Sequence, residues 1–386
     1  MASITCSMLV RSARFFHTTP SFRAPPIWLF TQTGTFVVAF SARAAREVWK
    51  RLPEARKVKI KASLKRQRKY FYGAGSLFLA GGGVYYFTHL EFVPLTKRYR
   101  FMMYSRDDRC QLLKQEMGTV GPDNALNLKT LNFIGDHKVL PASHQYYTNI
   151  VFPLVRQIVT HNSWCEGITD IDWRITIVDN PESKNIASLP TGDIIIYSGM
   201  LNACHNIDEA SLMLSHEMAH IILNHAAEDS SYSHLVSMLK LVCIAAIWFF
   251  IPSVLVSFFT HVVFNKTKIL SSYYFRRKRE IEADQVGLLL ASKACFNPER
   301  AIKLWKHLPK SDVSALSDTV KEYFRVHPCN ERRFMILQSL LPQAEELHSS
   351  GQCESQIKKE MEAFSASFAK LIKRNIIYTN KFGSHF

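Results

Sequence analysis

The chain, 386 residues long, predicts an α+β fold that is mainly α-helical with a small sheet and is preceded by one transmembrane helix. Three observations predict it. The run from Tyr70 to Leu90 carries no charge and is long enough to cross a bilayer. Helix-spaced apolar residues dominate from Asp208 onward, and two short β-branched stretches between residues 173 and 197 carry the strand signal. The roughly 290 residues beyond the uncharged run suffice for a packed core.

The amino-terminal part sets the cellular setting. Residues 1–46 contain no Asp or Glu, and Arg11, Arg14, Arg23, Arg43 and Arg46 are spread among Ser, Thr and Phe. That is the composition of a mitochondrial transit peptide, placed at residues 1–42. Residues 1–69 hold 15 Lys or Arg against only Glu47 and Glu54, a surplus of 13 out of the chain's net +16. The rest is nearly neutral, so no basic face suggests nucleic-acid binding.

Residues 43–69 form a basic block directly before the span at 70–90. Positive-inside logic puts this block in the matrix and the part after the span in the intermembrane space of a single-pass inner-membrane protein. The block serves topology or lies on an anionic leaflet, with cardiolipin the mitochondrial candidate. Five glycines in the span also suit helix packing in a homo-oligomer.

One domain, residues 91–345, follows. Residues 142–160 have helical periodicity, Trp173–Val178 reads as a strand, Asp179-Asn180-Pro181 turns the chain, and Ile194–Tyr197 is a second strand. An edge strand there offers main-chain pairing to an extended peptide. Asp208 is the expected N-cap of the next helix, with Glu209 in its first turn.

That helix carries His216-Glu217-Met218-Ala219-His220. Two histidines four apart share a helix face and can grip one Zn²⁺, and Glu217 is placed to take a proton from an attacking water and pass it to a leaving amine. His225, about 140° further round a continuous helix, is a poor ligand. A hydrolytic zinc needs a third donor. Glu280 is the candidate, with Asp284 on the same face orienting a ligand histidine, and Ala283 and Gly287 small enough for a second helix to approach. Glu282 points roughly 200° away from Glu280 and is expected to be solvated or paired with a nearby Arg.

An apolar tract at 241–264 separates the two halves of this site. A single crossing would strand Glu280 across the membrane from His216 and His220, and 24 residues cannot make two crossings. The consistent solutions are a hairpin or re-entrant segment bent at Pro252, or a buried pair of core helices.

His216-Glu217-x-x-His220 followed by Glu280-Ile281-Glu282-Ala283-Asp284 resembles the E-x-x-x-D gluzincin metalloendopeptidases, the family of the CAAX prenyl proteases. Asn185 to Asp193 resembles the family's strand bordering the substrate cleft, and His327-Pro328-Cys329-Asn330-Glu331-Arg332 resembles its His-Pro-x-x-x-Arg segment. The resemblance implies a zincin-like metalloprotease domain with one Zn²⁺ per chain. It implies substrate contacts at Asn185, Pro190 and Gly192, and His327 and Arg332 near the active site, His327 for the oxyanion or substrate and Arg332 for its own segment or Asp284.

One span behind a transit peptide is similar to the family's mitochondrial inner-membrane branch, whose activity overlaps that of the m-AAA protease. That branch implies stress-activated cleavage of inner-membrane proteins, including the dynamin-like fusion GTPase. The rival readings are a catalytically silent, zinc-stabilised membrane scaffold, against which Glu217 argues, and a prenyl-protein endoprotease, which needs more spans.

Eight cysteines without a C-x-x-C pair exclude a structural zinc finger, and Cys295 with Cys353 is the preferred disulfide. In the helical C-terminal region, 346–386, Phe364, Phe368, Leu371 and Ile372 near Lys370, Lys373 and Arg374 suggest an amphipathic helix docking on the domain or on the membrane.

Overall fold

The computed structural model describes residues 32–93, 96–104, 137–165, 167–250, 254–308, 330–350, 362–366 and 368–370. They fall into two compact units, one drawn from residues 109–226 and 273–386 and the other from 15–108 and 227–272.

The second unit begins with α1 (Gln32–Arg51), α2 (Glu54–Arg66) and α3 (Arg68–Thr88), and continues into an antiparallel hairpin of β1 (Leu90–Val93) and β2 (Arg98–Phe101). Pro53, which lacks an N–H, stands where α1 gives way to α2. Leu77, Phe78, Leu79, Val84 and Phe87 on α3 are exposed. Among the described residues, however, no helix is long and apolar enough to cross a membrane. The span expected at 70–90 thus rests on its length and lack of charge; its five glycines and its tyrosines hold its hydropathy down.

The apolar tract at 241–264 belongs to two helices, α7 (His225–Phe250) and α8 (Val254–Lys293), on either side of residues 251–253, which with Pro252 lie outside the described set. The hairpin is tied to the start of α7. Arg98 grips Glu228 through both guanidinium nitrogens, at 2.9 and 2.7 Å, and the Met103 N–H donates to Ser231 Oγ at 3.0 Å. A carboxylate as buried as Glu228 requires such a partner.

The first unit contains a π-helical turn, Tyr147–Val151, running into α4 (Phe152–His161), and a sheet of β3 (Arg174–Val178), β4 (Ile186–Ser188) and β5 (Asp193–Tyr197) in the order β3-β5-β4. β5 runs parallel to β3 and antiparallel to β4, with Ile175 opposite Ile194 and Ala187 opposite Ile195. The strand at 194–197 is therefore central and not an edge. Ile194, Ile195 and Ile196 are fully buried, as three successive β-branched side chains are when a strand is covered on both faces. The edge is the short β4.

Gly192 closes the turn between β4 and β5 at φ +98°, where a Cβ would lie 2.5 Å from the Asp172 carbonyl oxygen. An L side chain cannot sit there.

After α5 (Ser198–Ala203) comes the motif helix, α6 (Ile207–Ile222). Its N-cap is Asn206, not Asp208: the Asn206 side chain accepts from the Glu209 N–H at 3.0 Å, and the Glu209 carboxylate accepts in return from the His205 N–H at 2.8 Å. This reciprocal box satisfies donors at both ends of the first turn. Asp208 is instead buried, accepting from the Asn297 N–H at 2.9 Å and facing Arg300 at 3.2 Å.

Among the described residues the unit continues with α9 (Pro298–Ala301), α10 (Leu304–His307), α11 (Asn330–Ser339) and α12 (Leu341–Ser350), and residues 362–366 and 368–370 are helical as well. Leu212 of the motif helix shares one core with Leu288, Ala301, Ile302, Trp305, Leu337 and Ala344. Phe368 is buried as well, so at that residue the C-terminal region docks on the protein; Leu371, Ile372, Lys373 and Arg374 lie outside the described residues.

α6 and α8 meet at Gly287. A Cβ there would stand 2.9 Å from the His216 backbone nitrogen and 3.0 Å from its Cα. Backbone atoms cannot swing aside, so Gly287→Ala pushes the two helices apart. We expect it to cost about 1–3 kcal/mol, read as a lower melting temperature, and to weaken metal binding, because it displaces His216 from residues on α8.

Candidate metal centre

Three side chains from two helices converge. His216 Nε2 lies 3.2 Å from His220 Nε2 and 3.6 Å from Glu280 Oε2, and His220 Nε2 lies 3.5 Å from Glu280 Oε1. A tetrahedral zinc with ligands at 2.0–2.1 Å has ligand-to-ligand edges of roughly 3.3–3.4 Å. The triangle fits a zinc ion.

The hydrogen bonds behind the histidines point both Nε2 atoms inward. His216 Nδ1 faces Asp284 Oδ1 at 3.0 Å; a carboxylate only accepts, so the proton sits on Nδ1 and the Nε2 lone pair is left for a cation. Burial opposes charge on His216, but Asp284 and Glu280 outweigh it and raise its pKa to about 9. For His220, burial and the neighbouring His216 cation push the pKa well below its ordinary value. Asp284 is pulled the other way by its partners: burial raises its pKa, yet Arg333 and His216 together bring it below the usual carboxylate value.

Two ring nitrogens 3.2 Å apart beside a carboxylate call for a positive charge between them, a proton or a metal ion. So does the wider balance, in which the carboxylates of Glu217, Glu280, Glu282 and Asp284 are buried with the guanidiniums of Arg279 and Arg333.

His220 is oriented by a feature that the spacing did not show. The motif helix stops at Leu223, Asn224 takes a left-handed conformation (φ +54°), and a new helix starts at His225. Asn is one of the few residues that tolerate this conformation at a helix end. The break brings His225 Nδ1 to 2.8 Å from His220 Nδ1, and His225 Nε2 to 3.1 Å from Glu282 Oε2. Glu282 is thus neither solvated nor simply an arginine partner; it is buried at the end of a His220, His225, Glu282 chain. Asn224 directly after the apolar run was the available signal.

Glu217 stands next to the histidines, 7% exposed. Ser188 Oγ, on the edge strand β4, donates to Glu217 Oε2 at 2.6 Å, which ties the candidate general base to the strand beside it. Asn185 directly precedes that strand, exposed and with a carbonyl accepting from the Tyr197 N–H at 3.1 Å, and Pro190 follows it half-buried. Gly192 does not belong with them as a substrate contact: it is buried against Asp172 in the turn.

Arg332 is also corrected. It is exposed, and its neighbour Arg333 reaches Asp284 instead, with Nε 2.7 Å from Oδ2 and Nη2 2.6 Å from Oδ1. Trp305 covers that guanidinium at 3.4 Å from ring centroid to Cζ. One step along α11 turns a side chain by about 100°, so adjacent arginines face opposite surroundings. His327 and Cys353 lie outside the described residues. Cys295 is disulfide-bonded, at a left-handed backbone position (φ +69°).

The sequence relationships agree with this geometry. Residues 155–341 match the model of peptidase family M48. The chain is 31% identical to the zebrafish protein named "Metalloendopeptidase OMA1, mitochondrial" over 91% of this chain and 72% of that one. It is 29% identical to the human protein of the same name over 89% of this chain and 64% of that one, so it spans somewhat less than two thirds of the human relative's length. The baker's yeast "Mitochondrial metalloendopeptidase OMA1" is 29% identical over 75% of this chain and 79% of its own. A metal-ligand triangle with an adjacent carboxylate, inside an M48 match and a relationship of this extent, leads to one assignment: the chain belongs to the OMA1-type mitochondrial metalloendopeptidases of peptidase family M48.

Proposed function

We propose that this chain is a zinc-dependent endopeptidase of the mitochondrial inner membrane acting on membrane-bound protein substrates. The observation that carries this reading is the donor triangle of His216, His220 and Glu280, with edges of 3.2–3.6 Å, beside Glu217. Zinc supplies Lewis acidity toward the scissile carbonyl and the attacking water.

The residues of the chain carry the remaining roles. Glu217 takes the proton of the attacking water and delivers it to the leaving amine. Ser188 holds the carboxylate of Glu217 in place. Asp284 and the His225–Glu282 pair fix the two imidazoles. The edge strand β4, directly after Asn185, pairs with the substrate backbone, so many sequences are accepted. On the family resemblance alone, His327 stabilises the oxyanion.

The uncharged stretch of α3 that begins at Tyr70, with exposed Leu77, Phe78, Leu79 and Phe87, anchors the protein. The basic helices before it stay in the matrix against anionic lipid. Cleavage on loss of membrane potential, including that of the dynamin-like fusion GTPase, belongs to the same proposal. The Ser188 contact to Glu217 favours catalysis over a silent scaffold, and the relationship to mitochondrial metalloendopeptidases favours it over prenyl-protein processing.

The test uses mitochondria depolarised by an uncoupler. A membrane-permeant zinc chelator should abolish cleavage of inner-membrane proteins and added zinc should restore it. Chelator-insensitive bands would remove the metal from the mechanism. Extraction of the protein by alkaline carbonate would remove the anchor.

A further inference from the structure

A second group of metal-ligand side chains lies outside this centre. His205, Glu209 and His307 each bring one donor atom within 4.8 Å of the other two. Glu209 is fully buried and the imidazoles are exposed. His307 Nδ1 is 3.2 Å from Glu209 Oε1, which also accepts from Asn206 Nδ2 at 3.0 Å, and Glu209 Oε2 accepts from the His205 N–H at 2.8 Å. The rings of His205 and His307 stack with centroids 3.9 Å apart and planes 32° from parallel.

Two imidazole nitrogens and a carboxylate oxygen form a donor set for a borderline divalent ion such as zinc, with water able to fill the open positions.

We propose that His205, Glu209 and His307 form a second, peripheral zinc-class site that clamps the end of α10 to the start of the motif helix. Glu209 precedes His216 by seven residues, two turns along the same face, which puts the two sites about 10 Å apart. Metals in a shared two-metal catalytic centre lie roughly 3.5–4 Å apart, so this ion takes no part in hydrolysis. Its effect runs through α10: His307 lies two residues beyond Trp305, whose ring covers Arg333 and lies 6.1 Å from the His216 ring. An ion at this place holds that tryptophan against the catalytic centre.

The test is zinc stoichiometry on the full chain in detergent, with tags removed and metal stripped, titrated against a competing chromogenic chelator. Wild type should bind two equivalents, and His205→Gln and His307→Gln one each. A double variant of the first site, His216→Gln with His220→Gln, should keep the equivalent that depends on His307. Zinc-loaded His307→Gln should melt roughly 5 °C below zinc-loaded wild type, the shift expected for a ligand near 100 times its Kd on a domain of this size, and the two should melt alike in chelator.

The same number of equivalents in wild type and in both single variants overturns the proposal and leaves the three residues as a hydrogen-bonded helix cap. Loss of the first-site equivalent alone counts against the catalytic reading and not against this one. Both imidazoles are exposed, so neither single substitution opens a cavity, and either one suffices for the test.

Discussion

Glu217→Gln should keep its zinc and lose its proteolysis. The carboxamide has nearly the volume of the carboxylate and can still accept from Ser188, which donates to Oε2 at 2.6 Å, so the fold and the histidines are left alone. It cannot take up the proton of the attacking water. Losing a positioned general base costs roughly 10²–10⁴ in kcat, and the substrate's main-chain pairing is untouched, so KM should change little. Bound zinc by metal analysis and single-turnover cleavage of a membrane-anchored substrate make the comparison. Full activity in the variant would remove Glu217 from the general-base role; loss of zinc as well would make Glu217 part of the metal's support.

Arg333→Ala should be the most damaging substitution on the surrounding helices, and Arg332→Ala should do almost nothing. Arg333 is 4% exposed and makes two short bonds to Asp284, itself 1% exposed. Removing it leaves a buried carboxylate without its guanidinium, a loss of about 3–5 kcal/mol, or a melting temperature lower by roughly 10 °C in a domain of this size. Asp284 is then freer to shift away from His216 Nδ1, and metal affinity should fall about 10- to 100-fold, as it does when the residues orienting ligand histidines are lost. Arg332 is exposed, and surface substitutions usually stay within about 0.5 kcal/mol. Equal melts for the two variants would refute the structural assignment of the Asp284 partner.

The two arginines also show where sequence reading reaches its limit. A His-Pro-x-x-x-Arg spacing selects Arg332, because a motif counts positions, whereas the face of α11 turned toward Asp284 depends on how that helix packs through Leu337 against Leu212 and Leu288. Asn206 displaced Asp208 as the cap for a related reason. Both residue types cap helices, and what decides between them is that Asp208 is drawn into the Asn297 and Arg300 contacts from elsewhere in the chain. His225 was set aside on the premise of a continuous helix, which the left-handed Asn224 interrupts. Gly192 resembled a cleft residue and proves to be a conformational requirement of the turn.

The sequence by itself determined the local chemistry: His216 and His220 on one helix face with Glu217 beside them, Glu280 and Asp284 on another, a glycine for close approach, and a basic segment before an uncharged one. These follow from a fixed helical period and from side-chain type, and both are local. Only the tertiary structure decided the partners: Arg333 for Asp284, Ser188 for Glu217, His225 and Glu282 behind His220, and β4 rather than β5 at the edge of the sheet. Each of these pairs residues far apart in the chain or across a helix break. Their meeting depends on how helices and strands pack to bury Ile194–Ile196 and the Leu212 core, a global balance that no short stretch of sequence encodes.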